Sequence, residues 1–145
     1  MAIVRRTSEL PISAETAFAL AQKPDLFRYV VAPFLRVPRL DLPARLEAGA
    51  EGSARLWWLG VVPSWRHHLR LVHIGPGELR TVEHGGPVRR WNHHLRFEPL
   101  GADRCRYTDE IELEDGLRGA PTRLFARLIF RYRHRRWRAL ARVLA

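Results

Sequence analysis

An imidazole beside a carboxylate is the smallest constellation in this chain that could move a proton, and His93 and Asp109 are the residues able to form it. They lie on two runs that alternate apolar and polar residues within 86–115. In the first run Trp91, His93, Leu95 and Phe97 share one face, while Arg90, Asn92, His94, Arg96 and Glu98 share the other. In the second, Cys105, Tyr107, Asp109, Ile111 and Leu113 share a face. The runs meet at Gly101-Ala102-Asp103, which predicts an antiparallel hairpin. Such a hairpin sets His93 directly or diagonally across from Asp109, on a face that is otherwise apolar and aromatic. The carboxylate would hold the imidazole in one tautomer and raise its pKa, so the pair is a candidate general acid or base. The same two residues also read as buried polar groups that satisfy each other and set strand register. That second reading is preferred: catalysis also needs a substrate-activating group, and Tyr107 and His67 face inward without a spacing that makes them converge.

Other chemistries are less well supported by the residues. His67-His68 and His93-His94 are adjacent pairs on strands, so each pair splits across opposite faces. Inward His67, His73 and His93 could meet over a metal only if distant strands aligned, and no metal or cofactor is predicted. The single cysteine, Cys105, excludes an internal disulfide and a multi-cysteine metal site; its parity places it inward as a small hydrophobe. The formal charge is +10 and comes almost wholly from arginine, since Lys23 is the only lysine. No helix-turn-helix, zinc or RNA-binding signature accompanies that charge, so no specific nucleic-acid partner is expected. Eight arginines lie between Arg123 and Arg142 without one acid. They could rest against anionic lipid headgroups as a peripheral membrane contact. A solvated helix face is the preferred reading, because neither a long lysine run nor an exposed apolar wedge accompanies them.

The elements that must position these residues follow from pattern. A chain of 145 residues predicts a single domain over 1–145. No run reaches the ~20 apolar residues of a membrane span, and MAIVRRTSEL lacks a signal peptide's apolar core, so a cytoplasmic protein is expected. Ala2–Leu10 reads as a first strand. Ser13 can cap a helix over Ala14–Gln22, and Pro24 opens a second short helix over Asp25–Val31. Strands are predicted near Leu40–Leu46, Ser53–Leu59, Trp65–Ile74 and Glu78–His84, ahead of the hairpin, for about seven strands in a meander. In Trp65–Ile74 the residues Trp65, His67, Leu69, Leu71 and His73 share the inward face. A long helix is predicted over 122–144, with Phe125, Leu128, Ile129, Tyr132, Trp137, Leu140 and Leu144 along its apolar stripe.

One strand, two short helices, a meander and a long terminal helix is the order of an α+β helix-grip fold: a curved antiparallel sheet gripping a helix over an apolar cavity. The motifs Gly86-Pro87-x-Arg89-Arg90-Trp91-x-His93, Phe97-Glu98-Pro99 and Thr108-Asp109 resemble the START-like superfamily, also called Bet v 1-like or SRPBCC. The most similar branch is that of bacterial polyketide cyclase/dehydrase-like or ligand-binding proteins. Gly60-Val61-Val62-Pro63-Ser64-Trp65-Arg66 resembles that branch's G-x-P-x-x-W-R element, and Tyr132-Arg133-His134-Arg135 its terminal-helix pattern. Many relatives carry a second histidine two residues after the first; this chain has Leu95 there, so a two-histidine site is not carried over.

The resemblance implies binding or carriage of a hydrophobic or aromatic small molecule, whether lipid, quinone or polyketide-like. Its alternatives are a cyclase or dehydratase using His93 and Asp109, or an accessory module docking through the arginine-rich helix. The expected ligand-facing set is Trp65, His67, Leu69, Leu71, Trp91, His93, Leu95, Phe97, Tyr107, Asp109 and Ile111 from the sheet, with Phe125, Leu128 and Tyr132 from the helix. No residue pattern speaks to the oligomeric state.

Overall fold

The computed structural model describes residues 2–32, 35–37, 40–41, 46–59, 62–86, 88–114 and 119–145. Strand β1 (Ala2–Leu10) sends Val4 and Leu10 inward and leaves Ile3 outside. The Ser13 Oγ then accepts the Thr16 backbone N–H at 3.1 Å and starts α1 (Ala14–Ala21), with Glu15 at the helix's positive end. Pro24 opens α2 (Pro24–Val31), where its missing N–H has no intrahelical partner to lose. Leu26, Val30 and Val31 form the buried face of α2.

The chain then builds β2 (Leu35–Arg36), β3 (Leu40–Asp41), β4 (Glu51–Trp58), β5 (Val62–Gly75), β6 (Glu78–Gly85), β7 (Val88–Gly101) and β8 (Arg104–Leu113). Among the described residues the sheet runs β1-β8-β7-β6-β5-β4-β2, with β3 also paired to β4 and every pairing antiparallel. The seven predicted strands are present as β1 and β3 to β8, in a sheet of eight among the described residues. β2 is an addition, since two residues carry no legible period. The strand predicted over 40–46 is seen as β3 in its first two residues, and 42–45 lie outside the described residues.

Two local features position the site. The β5–β6 register shifts between Leu71 and His73, and the bulge reverses the inward parity. Ile74 rather than His73 packs toward the core, and His73 is exposed with its Nε2 3.1 Å from Glu78. The expectation that His73 faces inward is corrected by this bulge. At the β6–β7 turn, Gly86 takes φ +53°, and a Cβ there would lie 2.6 Å from Trp65 Cγ. The turn is glycine because β5 brings its indole directly against the backbone.

Helix α3 (Gly119–Leu144) packs on β1, β8 and α2. Its buried face is Ala126, Ile129, Phe130, Arg133, His134, Trp137 and Ala141, a 3.6-residue period centred on small and polar side chains. The predicted stripe is rotated from this one. Leu128, placed on the inner face by its size, is 56% exposed, and Leu144 is exposed too. Tyr132 faces α2 and donates its hydroxyl proton to the Ala32 carbonyl. Arg136 lies over the Tyr29 ring at 3.9 Å and bonds the Tyr29 carbonyl, which ties the same flank down. The whole is an α+β helix-grip fold.

Candidate functional site

Between the concave sheet face, α2 and α3 lies a cavity of about 210 Å³. Ala54, Leu56, Leu71, Leu79 and Leu95 supply sheet walls, while Leu26, Phe27, Val30, Phe125 and Ile129 supply helix walls. Eight of the expected ligand-facing residues line it: Trp65, His67, Leu69, Leu71, Trp91, His93, Leu95 and Phe125. Six do not. Phe97, Tyr107, Asp109 and Ile111 are buried beyond the cavity, Leu128 is exposed, and Tyr132 is on the α2 flank. The inward face of the hairpin is long enough to serve two purposes, and its turn-proximal end is filled solid. There Phe97 stacks on Tyr107 with centroids 5.0 Å apart, Tyr107 stacks on His134 at 4.3 Å, and Trp137 lies 5.2 Å from Tyr107.

Where the cavity meets this packed end, polar groups gather. The β7–β8 register pairs Leu95 with Asp109 and His93 with Ile111, so His93 reaches Asp109 diagonally. His93 Nε2 is 2.6 Å from Asp109 Oδ1. The other ring nitrogen, Nδ1, is 3.8 Å from Glu83 Oε1, an ion-pair distance rather than a hydrogen bond. Asp109 Oδ2 accepts from the Tyr107 hydroxyl and from His134 Nε2 at 3.2 Å, and the Arg133 guanidinium is 3.7 Å from Oδ1. Glu83 in turn accepts from the Thr81 hydroxyl and from His67 Nε2 at 2.9 Å.

These contacts define where protons sit. An indole N–H only donates, so the 3.3 Å bond from Trp65 Nε1 requires a lone pair on His67 Nδ1 and places that ring's proton on Nε2. Both nitrogens of His93 face carboxylates, which calls for an imidazolium. Burial alone would depress the His93 pKa, but the Asp109 bond and the Glu83 carboxylate outweigh it and raise it. Burial would likewise raise the Asp109 and Glu83 carboxyls. Arg133, His134 and His93 hold Asp109 well below the usual range, and His67 and His93 do the same for Glu83. His134 is pushed down by burial, which leaves it neutral and lets Nδ1 accept the Ser8 hydroxyl at 2.8 Å. The cluster thus holds two anions, Glu83 and Asp109, against two cations, His93 and Arg133. Burying ions costs several kcal/mol each unless they are paired this closely.

The sign of the His93 shift gives a test. A base whose folded-state pKa is raised contributes its full stabilisation below the unfolded value of about 6.5 and loses it as pH rises through the folded value. The stability difference between wild type and His93→Gln, measured by urea unfolding, should be flat below pH ~6.5 and shrink above it. His134 shifts the other way and shares the Asp109 carboxylate, so the comparison is repeated in a His134→Asn background to separate the two titrations. A difference that grows with pH would show that His93 is not held as a cation.

Sequence reasoning missed Glu83, Thr81, Arg133 and His134. Glu83 shares parity with Leu79 and pairs with Trp91, so counting along β6 would have found it. Arg133 and His134 stand in the terminal-helix pattern that the resemblance quoted, and they fall on α3's buried period, where an arginine is the last residue type expected. Cys105 is buried, and burial pushes its thiol up to about 11, in line with an inert role. No metal-holding cluster of histidine, cysteine and carboxylates occurs among the described residues.

The family described as a domain of unknown function (DUF8410) matches residues 8–141, nearly the whole length. The chain belongs to the DUF8410 family. Its fold is that of START and Bet v 1-like proteins. A START superfamily protein from Mycobacterium smegmatis superposes with TM-score 0.78 at 14% identity, covering 99% of both chains. A protein from Chromobacterium violaceum gives TM-score 0.78 at 11% identity over 97% of each chain. Truncated norcoclaurine synthase from Thalictrum flavum gives TM-score 0.68 at 10% identity, covering 96% of this chain and 92% of that one. No curated protein matches the sequence. At these identities the neighbours establish the fold. No described helix of this DUF8410 protein is long and apolar enough to cross a membrane. On the outer side of α3, Leu124 and Leu128 stand exposed among Arg127, Arg131 and Arg135, correcting the expectation that no apolar residue projects between the arginines.

Proposed function

We propose that this DUF8410 protein binds a hydrophobic or aromatic small molecule in the cavity and acts as a binding or carrier protein. The observation that carries this reading is the cavity itself: about 210 Å³, walled mostly by aliphatic and aromatic side chains, with the Glu83–His93 cluster at one part of its wall and Gln22 and Lys23 at another. An apolar void of ~150 Å³ is enough to take up benzene, so this one has room for a larger ring system. Empty apolar space also weakens packing, and a fold retains it more readily where a ligand restores those contacts.

The cyclase or dehydratase reading has less support. Norcoclaurine synthase, by its name, performs a synthesis on this fold, but here Asp109 is walled off from the cavity. As an imidazolium His93 has no lone pair to act as a base, and as an acid it turns both ring nitrogens toward Asp109 and Glu83 rather than toward a substrate. Three tryptophans, Trp65, Trp91 and Trp137, line the cavity and report on occupancy. Titration with aromatic polyketides, quinones and fatty acids should give a saturable change in their fluorescence for a compact aromatic member. Mass spectrometry of molecules extracted from the native protein should identify a small apolar compound. No response to any class, together with an empty extract, sinks the proposal.

A further inference from the structure

The outer side of α3 carries a strip of charge that faces away from the rest of the protein. Arg127, Arg131, Arg135, Arg138 and Arg142 are exposed and follow one another at intervals of three or four residues. No acid occurs anywhere in Gly119–Leu144. At about 100° per residue the five fall on one side of the helix, along roughly 22 Å of its length and opposite the buried face of Ala126 to Ala141. Like charges at this spacing repel, so the strip weakens the helix that bears it unless an anionic surface neutralises it.

The apolar members of the strip decide which anionic surface fits. Leu124 and Leu128 are 57% and 56% exposed and lie on the same side of α3 as the arginines, at the N-terminal end. A sugar-phosphate backbone would engage the arginines and offer nothing to two leucines. The face of a bilayer takes both: lipid phosphates receive the guanidinium groups, and the leucines enter the boundary between headgroups and acyl chains. Phe125, which follows Leu124 in the chain, lines the cavity, so the apolar end of the strip adjoins the enclosed space.

We propose that the outer face of α3 docks on an anionic lipid surface, with the arginines on the headgroups and Leu124 and Leu128 inserted beside them. This goes beyond the cavity-binding reading and does not depend on it.

Co-sedimentation with vesicles tests it. Vesicles of phosphatidylcholine and phosphatidylglycerol in equal parts should bind the protein at low ionic strength, and vesicles of phosphatidylcholine alone should not. Added salt should weaken the binding. Arg127→Gln, Arg131→Gln and Arg135→Gln should each lower vesicle affinity about fivefold, and the three together on the order of a hundredfold. Because these side chains are exposed, the triple variant should keep the wild-type melting temperature or exceed it. Leu124→Ser with Leu128→Ser should cut vesicle affinity severalfold and leave its salt dependence as in the wild type. A short DNA duplex at the same ionic strength serves as the competing polyanion. Failure to bind the anionic vesicles overturns the proposal, as does binding that the triple arginine variant retains, since the contact then lies elsewhere on the protein. Vesicle affinity indifferent to the leucine substitutions, with tighter binding to the duplex, overturns it too: the strip is then a site for a phosphate backbone.

Discussion

Asp109→Ala should destabilise the protein by about 3–5 kcal/mol, the usual cost of removing one partner from a buried ion cluster. In a chain of this size that lowers the melting temperature by roughly 10–20 °C. The magnitude follows from the number of groups stranded together. His93 loses its 2.6 Å partner, Arg133 loses the carboxylate 3.7 Å away, and the Tyr107 hydroxyl and His134 Nε2 lose their acceptor. Tyr107 and His134 are fully buried and His93 and Arg133 nearly so, which leaves water little room to substitute. The alternative, that dropping a desolvated carboxylate relieves strain, holds only when the whole set is replaced by apolar groups. Adding Arg133→Met to Asp109→Ala should accordingly recover part of the loss, because it withdraws one stranded cation. A single-variant loss below about 1 kcal/mol would mean that the cluster is not the closed, mutually dependent unit inferred from its distances.

Ala54→Phe should leave the fold intact and abolish ligand binding, with affinity down by on the order of a hundredfold, ~2.7 kcal/mol. Ala54 is 5% exposed on β4 and lines the cavity, so a benzyl group there points into empty space rather than into packed atoms. Overpacking a filled core costs about 1–3 kcal/mol, whereas filling a void often raises stability. The expected pair of results is an unchanged or higher melting temperature and no saturable tryptophan response to a compound that titrates the wild type. Retained binding would move the site elsewhere. A collapse in stability would show that the walls close tightly around Ala54.

The two variants probe opposite ends of one design. The closed end, from Phe97 to Trp137, is an aromatic stack around neutralised charges and holds α3 against the hairpin. The cavity itself is mostly apolar and lies between α2, α3 and the sheet. A fold that only had to be stable would have little use for the buried ions, since a hydrophobic set of similar volume is commonly as stable.

Strand alternation is a property of neighbouring residues. The sequence alone was therefore enough to place Trp91, His93, Leu95 and Phe97 on one face, to pair them with Cys105 through Leu113, and to bring His93 within reach of Asp109 across the turn. The Ser13 cap and the Pro24 helix start were legible for the same reason: each depends on one or two residues satisfying local backbone groups. The bulge after Leu71 depends on how β5 meets β6, and it sent His73 outward against its parity. The rotation of α3 was set by what its inner face had to meet. Small Ala126 and Ala141 are buried on that face, and Asp109 needed a cation and a donor, so Arg133 and His134 turned in while Leu128 turned out. Glu83 entered the site because His67 and His93, from strands on either side of β6, converge on its carboxylate. Charges can be buried only where opposite charges from distant parts of the chain arrive together, and that meeting is decided by the tertiary structure.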